Sequence, residues 1–217
     1  MKRKNGADVN YYDNVRYDII KLIKSPVGRV LDIGCGAGAT LMHLKKTQLA
    51  QYVVGVDINA QQLKIASQRG VDEVYLSDLS GPNWPLAGVL FDRILLLDVL
   101  EHMVDPWTVV DRLTRNLAPG GQIIASIPNV QNIRVLGSLL FGRWDYKDSG
   151  ILDRTHLRFF TRRTAIQIFV SANLNVISVF HIVEKNWLPR LLNRATLRIF
   201  ERFVTVQYIL ISQDPNS

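Results

Sequence analysis

The chain has 217 residues, 47% apolar and 21% charged, with a formal net charge of +7. That composition excludes a disordered polypeptide, and a single cysteine, Cys35, excludes an internal disulfide or a cysteine metal cluster. No run reaches the roughly 18 unbroken apolar residues of a membrane helix, and the basic start has no apolar stretch behind it, so a cytoplasmic location is expected.

In chain order, residues 10–24 space their apolar side chains as a helix ending before Pro26. Short apolar runs then alternate with amphipathic ones. Strands are predicted at 29–33, 52–57, 74–76, 90–97 and 122–127, and helices at 38–46, 60–69 and 106–117. Continuous apolar strands alternating with helices predict an α/β fold, a parallel sheet covered on both faces.

After Pro128 the rhythm changes. A helix is predicted at 130–140, then an irregular aromatic-rich stretch, then a helix at 161–172 capped by Thr161. Two strands follow at 175–183 and 205–211, separated by a basic amphipathic helix at 187–203. The charge is uneven: residues 134–202 hold 12 Lys+Arg against 5 Asp+Glu. Such an excess is either plain solvated surface or an attraction for something anionic: a phosphorylated substrate, a lipid headgroup or nucleic acid.

The most informative segment runs from Val30 to Gly38, VLDIGCGAG: a strand enters three alternating glycines and then a helix. Glycines there permit a tight turn and close approach of a ligand to the backbone, and the helix N-terminus offers free N–H groups. Gly34, Gly36 and Ala39 also satisfy a dinucleotide fingerprint, so a nicotinamide-dependent oxidoreductase is an alternative. Three carboxylates weigh against it. Asp32, at the end of the first strand, suits a cationic amine or sulfonium and would repel a pyrophosphate. Asp57 ends the second strand, where a carboxylate can accept ribose hydroxyls. Asp78 follows the third, placed for an adenine amino group.

Here the sequence resembles the class I S-adenosylmethionine (SAM)-dependent methyltransferases. LDIGCGAG is similar to their first motif, Asp57 to their ribose-binding acid and Ser77-Asp78-Leu79 to their adenine site. ILLLDVLEHMVDPW and LAPGGQIIASIPN are similar to their fourth and fifth strand signatures. The nearest subgroups are ubiquinone-type O-methyltransferases and methyltransferases of bacterial cell-surface polysaccharide pathways, whose GILDRTHLRFFT stretch also recurs. The resemblance implies a Rossmann-like, seven-stranded, mostly parallel sheet with helices on both faces, the last strand antiparallel, and helical insertions. It implies a single domain over 1–217, with a SAM-binding core at 10–128, an acceptor-covering insertion at 129–160 and a basic helical insertion at 186–203.

The cofactor would be SAM. Gly34, Gly36 and Gly38 would approach its methionine portion, with Asp32 holding the loop and the ammonium. Asp57 and Ile58 would lie at the ribose, Asp78 and Leu79 at the adenine, Asp98 along the far side, and Tyr12 over the methionine carboxylate. Cys35 belongs to the loop by position and is a packed small residue, not a nucleophile.

A hydroxyl acceptor needs a base, and histidine titrates near neutral pH. His102, after the fourth strand, and His156, in the irregular stretch, are the catalytic candidates, with Asp153 available to orient His156. His43 and His181 have no visible partner. Trp144, Tyr146, Phe159 and Phe160 could stack on a ring or pack on the sheet. No metal is expected. The expected partner is a small-molecule, saccharide or isoprenoid acceptor, anionic or lipid-linked, with peripheral contact to the inner membrane. Nucleic-acid methylation is the other alternative, although no specific nucleic acid is expected.

Overall fold

The computed structural model describes residues 14–79, 81, 84–183 and 200–215. Tyr12 and most of the predicted helix at 187–203 lie outside the described residues. Seven strands form one sheet in the order β3-β2-β1-β4-β5-β7-β6. They are β1 (Val27–Ile33), β2 (Ala50–Asp57), β3 (Glu73–Leu76), β4 (Phe91–Leu97), β5 (Leu117–Pro128), β6 (Asn175–Val183) and β7 (Thr205–Gln213). β1 pairs in parallel with β2 and with β4, and β2 with β3. β7 runs antiparallel to β6 and takes the place beside β5. The expected architecture is therefore present.

The chain divides into two compact units. The first comprises Met1–Leu96 and Arg115–Ile124, the second Leu97–Thr114 and Ala125–Asn216. In the first, α1 (Tyr17–Ile20) is a single turn, shorter than the predicted helix, although Ile19, Ile20 and Ile23 are buried as expected. α2 (Ala39–Lys46) and α3 (Ala60–Arg69) follow β1 and β2. Asn59 caps α3 by accepting from the Gln61 and Gln62 N–H groups. Leu31, Val53, Ile94 and Leu95 are fully buried in their strands, each contributing roughly 1.5–3 kcal/mol by leaving water.

In the second unit, α4 (Pro106–Thr114) starts on proline, whose missing N–H costs nothing at a first turn. α5 (Ile133–Leu140) begins at the Asn132 cap, three residues later than predicted. α6 (Arg162–Val170) is capped by Thr161, whose hydroxyl accepts from Thr164 N–H, and Thr164 returns the bond. Ala165, Ile168 and Phe169 form its buried face, as the spacing predicts, and Ala172, just past its end, is buried as well. A last short helix, α7 (Glu201–Val204), leads into β7.

Candidate active site

Two groups of site residues stand in separate units. In the first unit, β1 ends at Ile33 and the loop begins. Gly34, Gly36 and Gly38 have φ of 74°, 52° and 73°, backbone that favours glycine. Gly38 is also the N-cap of α2, and a Cβ there would stand 2.8 Å from Val71 Cγ2 and 3.1 Å from Ala66 Cβ. Gly38→Ala is therefore expected to cost about 2 kcal/mol, combining left-handed strain and crowding. That corresponds to a melting temperature about 4–8 °C lower by circular dichroism, and an unchanged melt would contradict this loop geometry.

The loop is laced to β2. Gly34 N–H and Cys35 N–H both donate to Val56 O, at 2.7 and 3.1 Å. Gly36 N–H donates to Asp57 Oδ2 at 2.8 Å, and Asn59 N–H to Asp57 Oδ1 at 2.8 Å. Asp57 thus shapes the glycine loop, a role its strand-end position alone did not reveal. Each of its oxygens keeps a lone pair for a further donor.

Asp32 is buried, and its Oδ1 has no hydrogen-bond partner among the described residues. Burial first, then the negative charge of Asp57, pushes its carboxyl up to about 8, against the pull of Arg16. A buried carboxyl with an open oxygen, beside a second carboxylate, is the chemistry that accepts a cationic amine. A pyrophosphate would meet repulsion there. Cys35 is buried, and burial with the charges of Asp32 and Asp57 pushes its thiol up, so it is no nucleophile. Its sulfur fills the space a Cβ on Gly55 would need, 2.6 Å away. Ile58 and Asp78 are exposed beyond β2 and β3, whereas Leu79 is buried.

In the second unit, Asp98 follows β4 with φ of 57°, left-handed for a residue with a side chain. Such strain costs of order 1–3 kcal/mol. Its N–H donates to Ser126 Oγ at 3.0 Å, and its carboxylate accepts from Ser126 Oγ at 3.1 Å and from the Gln207 amide. The chain then makes one 3₁₀ turn, Leu100–His102. This turn is joined to the segment before α6 through Glu101 O, which accepts from Leu157 N–H at 2.8 Å and Arg158 N–H at 3.0 Å.

That junction brings His102 and His156 together, ring centroids 4.8 Å apart and edge to face. His102 Nδ1 lies 3.2 Å from Thr155 O and His156 Nδ1 3.0 Å from Ile151 O. Burial pushes the His156 imidazole below the usual histidine range; the Ile151 carbonyl opposes this and His102 adds to it.

The sequence model of one family, methyltransferase domain, matches residues 12–179. The chain belongs to this methyltransferase family. Its fold is that of SAM-dependent methyltransferases of known structure. Among curated proteins, a ubiquinone biosynthesis O-methyltransferase of Xylella fastidiosa is 30% identical over 128 residues, 53% of this chain and 48% of that protein. Norajmaline N-methyltransferase of Rauvolfia serpentina is 31% identical over 100 residues, 44% of this chain and 34% of that protein. The methyltransferase thus spans about half the length of the ubiquinone relatives it matches. Two solved structures share its fold. A SAM-dependent methyltransferase from Archaeoglobus fulgidus superposes with TM-score 0.64 at 20% identity, covering 90% of this chain and 89% of that one. The N-methyltransferase NodS of Bradyrhizobium japonicum, in complex with S-adenosyl-L-homocysteine, gives 0.62 at 16%, covering 97% and 94%.

Several details of the methyltransferase differ from expectation. Asp153 does not hold His156: its Oδ1 accepts from Thr155 N–H and Oγ1, at 2.8 and 2.6 Å, closing a local turn. Arg154 pairs with Asp148 at 2.6 Å, and Arg158 donates to Val104 O. His181 meets Thr205 Oγ1 at 3.0 Å, and His43 packs edge-on against Tyr17. Phe160 is buried in the fold, Trp144 packs edge-on against Phe159, and Tyr146 is exposed. Sequence reasoning gave no role to Glu101, although it is 1% exposed next to His102. A carboxylate between apolar neighbours and a histidine was the available signal.

Proposed function

We propose that the protein methylates an oxygen of a small saccharide or isoprenoid-type acceptor, with SAM held at the glycine loop and the acceptor facing His102 and His156. The observation that carries the reading is the His102–His156 pair, fixed at 4.8 Å beside the strained Asp98 that follows β4.

When bound, SAM supplies an electrophilic methyl group, so the chain's own tasks are placement and proton removal. Asp32 would accept the cofactor's ammonium, Gly34, Gly36 and Gly38 would admit its methionine portion, Asp57 and Ile58 would lie at the ribose, and Asp78 and Leu79 at the adenine. Asp98, held by Ser126 and Gln207, would flank the cofactor. His102 and His156 would ease the proton from the acceptor oxygen.

Similarity to the ubiquinone biosynthesis O-methyltransferase supports oxygen as the methylated atom. The basic second half supports an anionic or lipid-linked acceptor. Leu140 and Phe141 are 85% and 84% exposed at the end of α5, beside Arg143, which supports peripheral contact with an anionic membrane from the cytoplasmic side. Among the described residues no helix is long and apolar enough to cross a membrane.

The test is methyl release from labelled SAM over a panel of nucleotide sugars, lipid-linked sugars, catechols and amines. Turnover with a hydroxyl acceptor, falling about 10²–10⁴-fold in kcat for His102→Ala, is expected. Turnover with amines alone would replace oxygen by nitrogen, and undiminished His102→Ala turnover would remove the histidine pair from the reaction.

A further inference from the structure

The structure assigns a divalent transition-metal site to Glu101, His102 and His156. Each offers one ligand atom, and the three atoms lie within 4.8 Å of one another. A shared ion with bonds near 2.1 Å would draw a tetrahedral trio to about 3.4 Å apart. Glu101 and His102 are consecutive and His156 is tied to the same turn, which keeps the three groups close enough for an ion to draw them together. The ties are Leu157 N–H and Arg158 N–H on Glu101 O, and His102 Nδ1 on Thr155 O.

The tautomers carry the argument further. Carbonyl oxygens only accept, so the hydrogen bonds to Thr155 O and Ile151 O require a proton on Nδ1 of both rings. In the neutral ring that leaves the Nε2 lone pair of each histidine as the free donor. Donation of the other ring nitrogen to a backbone carbonyl is the arrangement that orients metal-binding histidines. A buried carboxylate, Glu101, completes the trio.

Two imidazoles and one carboxylate suit zinc, cobalt, iron or nickel, whereas magnesium and calcium favour all-oxygen sets. Three protein ligands leave a coordination position open. On the O-methylation reading above, that position takes the acceptor hydroxyl. The ion lowers the hydroxyl's pKa, the O–H proton passes to bulk water, and the electron pair stays on oxygen as the nucleophile. His102 and His156 then hold the ion instead of removing the proton themselves. An acceptor with two neighbouring oxygens, a catechol or a vicinal diol, would chelate best.

The test uses the full chain freed of metal by a chelator and titrated with cobalt(II), followed by its visible d–d absorption. Calorimetry then follows zinc displacing cobalt. One ion per chain is expected. His102→Ala and His156→Ala should each weaken binding at least about 100-fold, the upper end of what losing a mere supporting partner costs. The isosteric Glu101→Gln should do the same without leaving a cavity. The thermal melt and SAM affinity of each variant are measured alongside, so that loss of folding is recognised and the proposal is judged on the variants that fold. Absence of saturable cobalt binding, or wild-type affinity in both histidine variants, overturns the site. Loss of SAM binding in the metal-free wild type would instead count against the cofactor placement.

Discussion

Asp57→Asn is expected to weaken SAM binding about 100-fold, or 2.7 kcal/mol, by calorimetry. A hydrogen bond to a charged acceptor contributes about 1.5–3 kcal/mol, and a ribose presents two hydroxyls. Asparagine keeps one carbonyl oxygen but loses the charge and the second acceptor. It also disturbs the loop, because Asp57 Oδ2 takes the Gly36 N–H at 2.8 Å and Oδ1 takes the Asn59 N–H. An amide must set its nitrogen against either the Gly36 N–H or the Asn59 N–H, donor against donor, so the variant loses one of the two contacts whichever way it is turned. Asp78→Asn, at an exposed carboxylate beyond β3, should weaken binding less. Unaltered SAM affinity in a folded Asp57→Asn protein would take the ribose away from this strand end and undo the placement of the cofactor.

What could be read from the sequence follows the range of the forces involved. α3 and β6 match the predicted spans 60–69 and 175–183 because periodicity and caps are local. β5 does not. The strand is predicted at 122–127, yet it runs from Leu117. A Cβ on Gly121 would stand 2.8 Å from Phe91 O and from Ala118 O, so this glycine is set by close backbone approach, which no local pattern announces. The site divides the same way. Asp32 and Asp57 were legible as carboxylates at strand ends. The clamp of Asp57 on Gly36 spans 21 residues, and the meeting of His102 with His156 depends on Glu101 O receiving Leu157 and Arg158. Asp153 was the nearer acid in sequence to His156, but Thr155 captures it first.

Asp32 should make SAM binding release a proton. Its folded-state value of about 8 stands above the ordinary 3.8, raised by burial and by Asp57. The folded apoprotein therefore holds a proton there that the unfolded chain does not hold between pH 3.8 and about 8. The stability this contributes is fully present below pH 3.8 and is lost as pH rises through about 8. The cofactor's ammonium beside Asp32 reverses the balance, because an adjacent cation favours the carboxylate. Affinity should then rise with pH across the neutral range, by at most about tenfold per pH unit, and level off above about pH 8. At pH 7 close to one proton should leave on binding, seen as binding heats that differ between two buffers of unlike ionisation enthalpy. Asp32→Asn should remove that difference. Heats independent of buffer in the wild type would contradict an ammonium paired with an ionised Asp32.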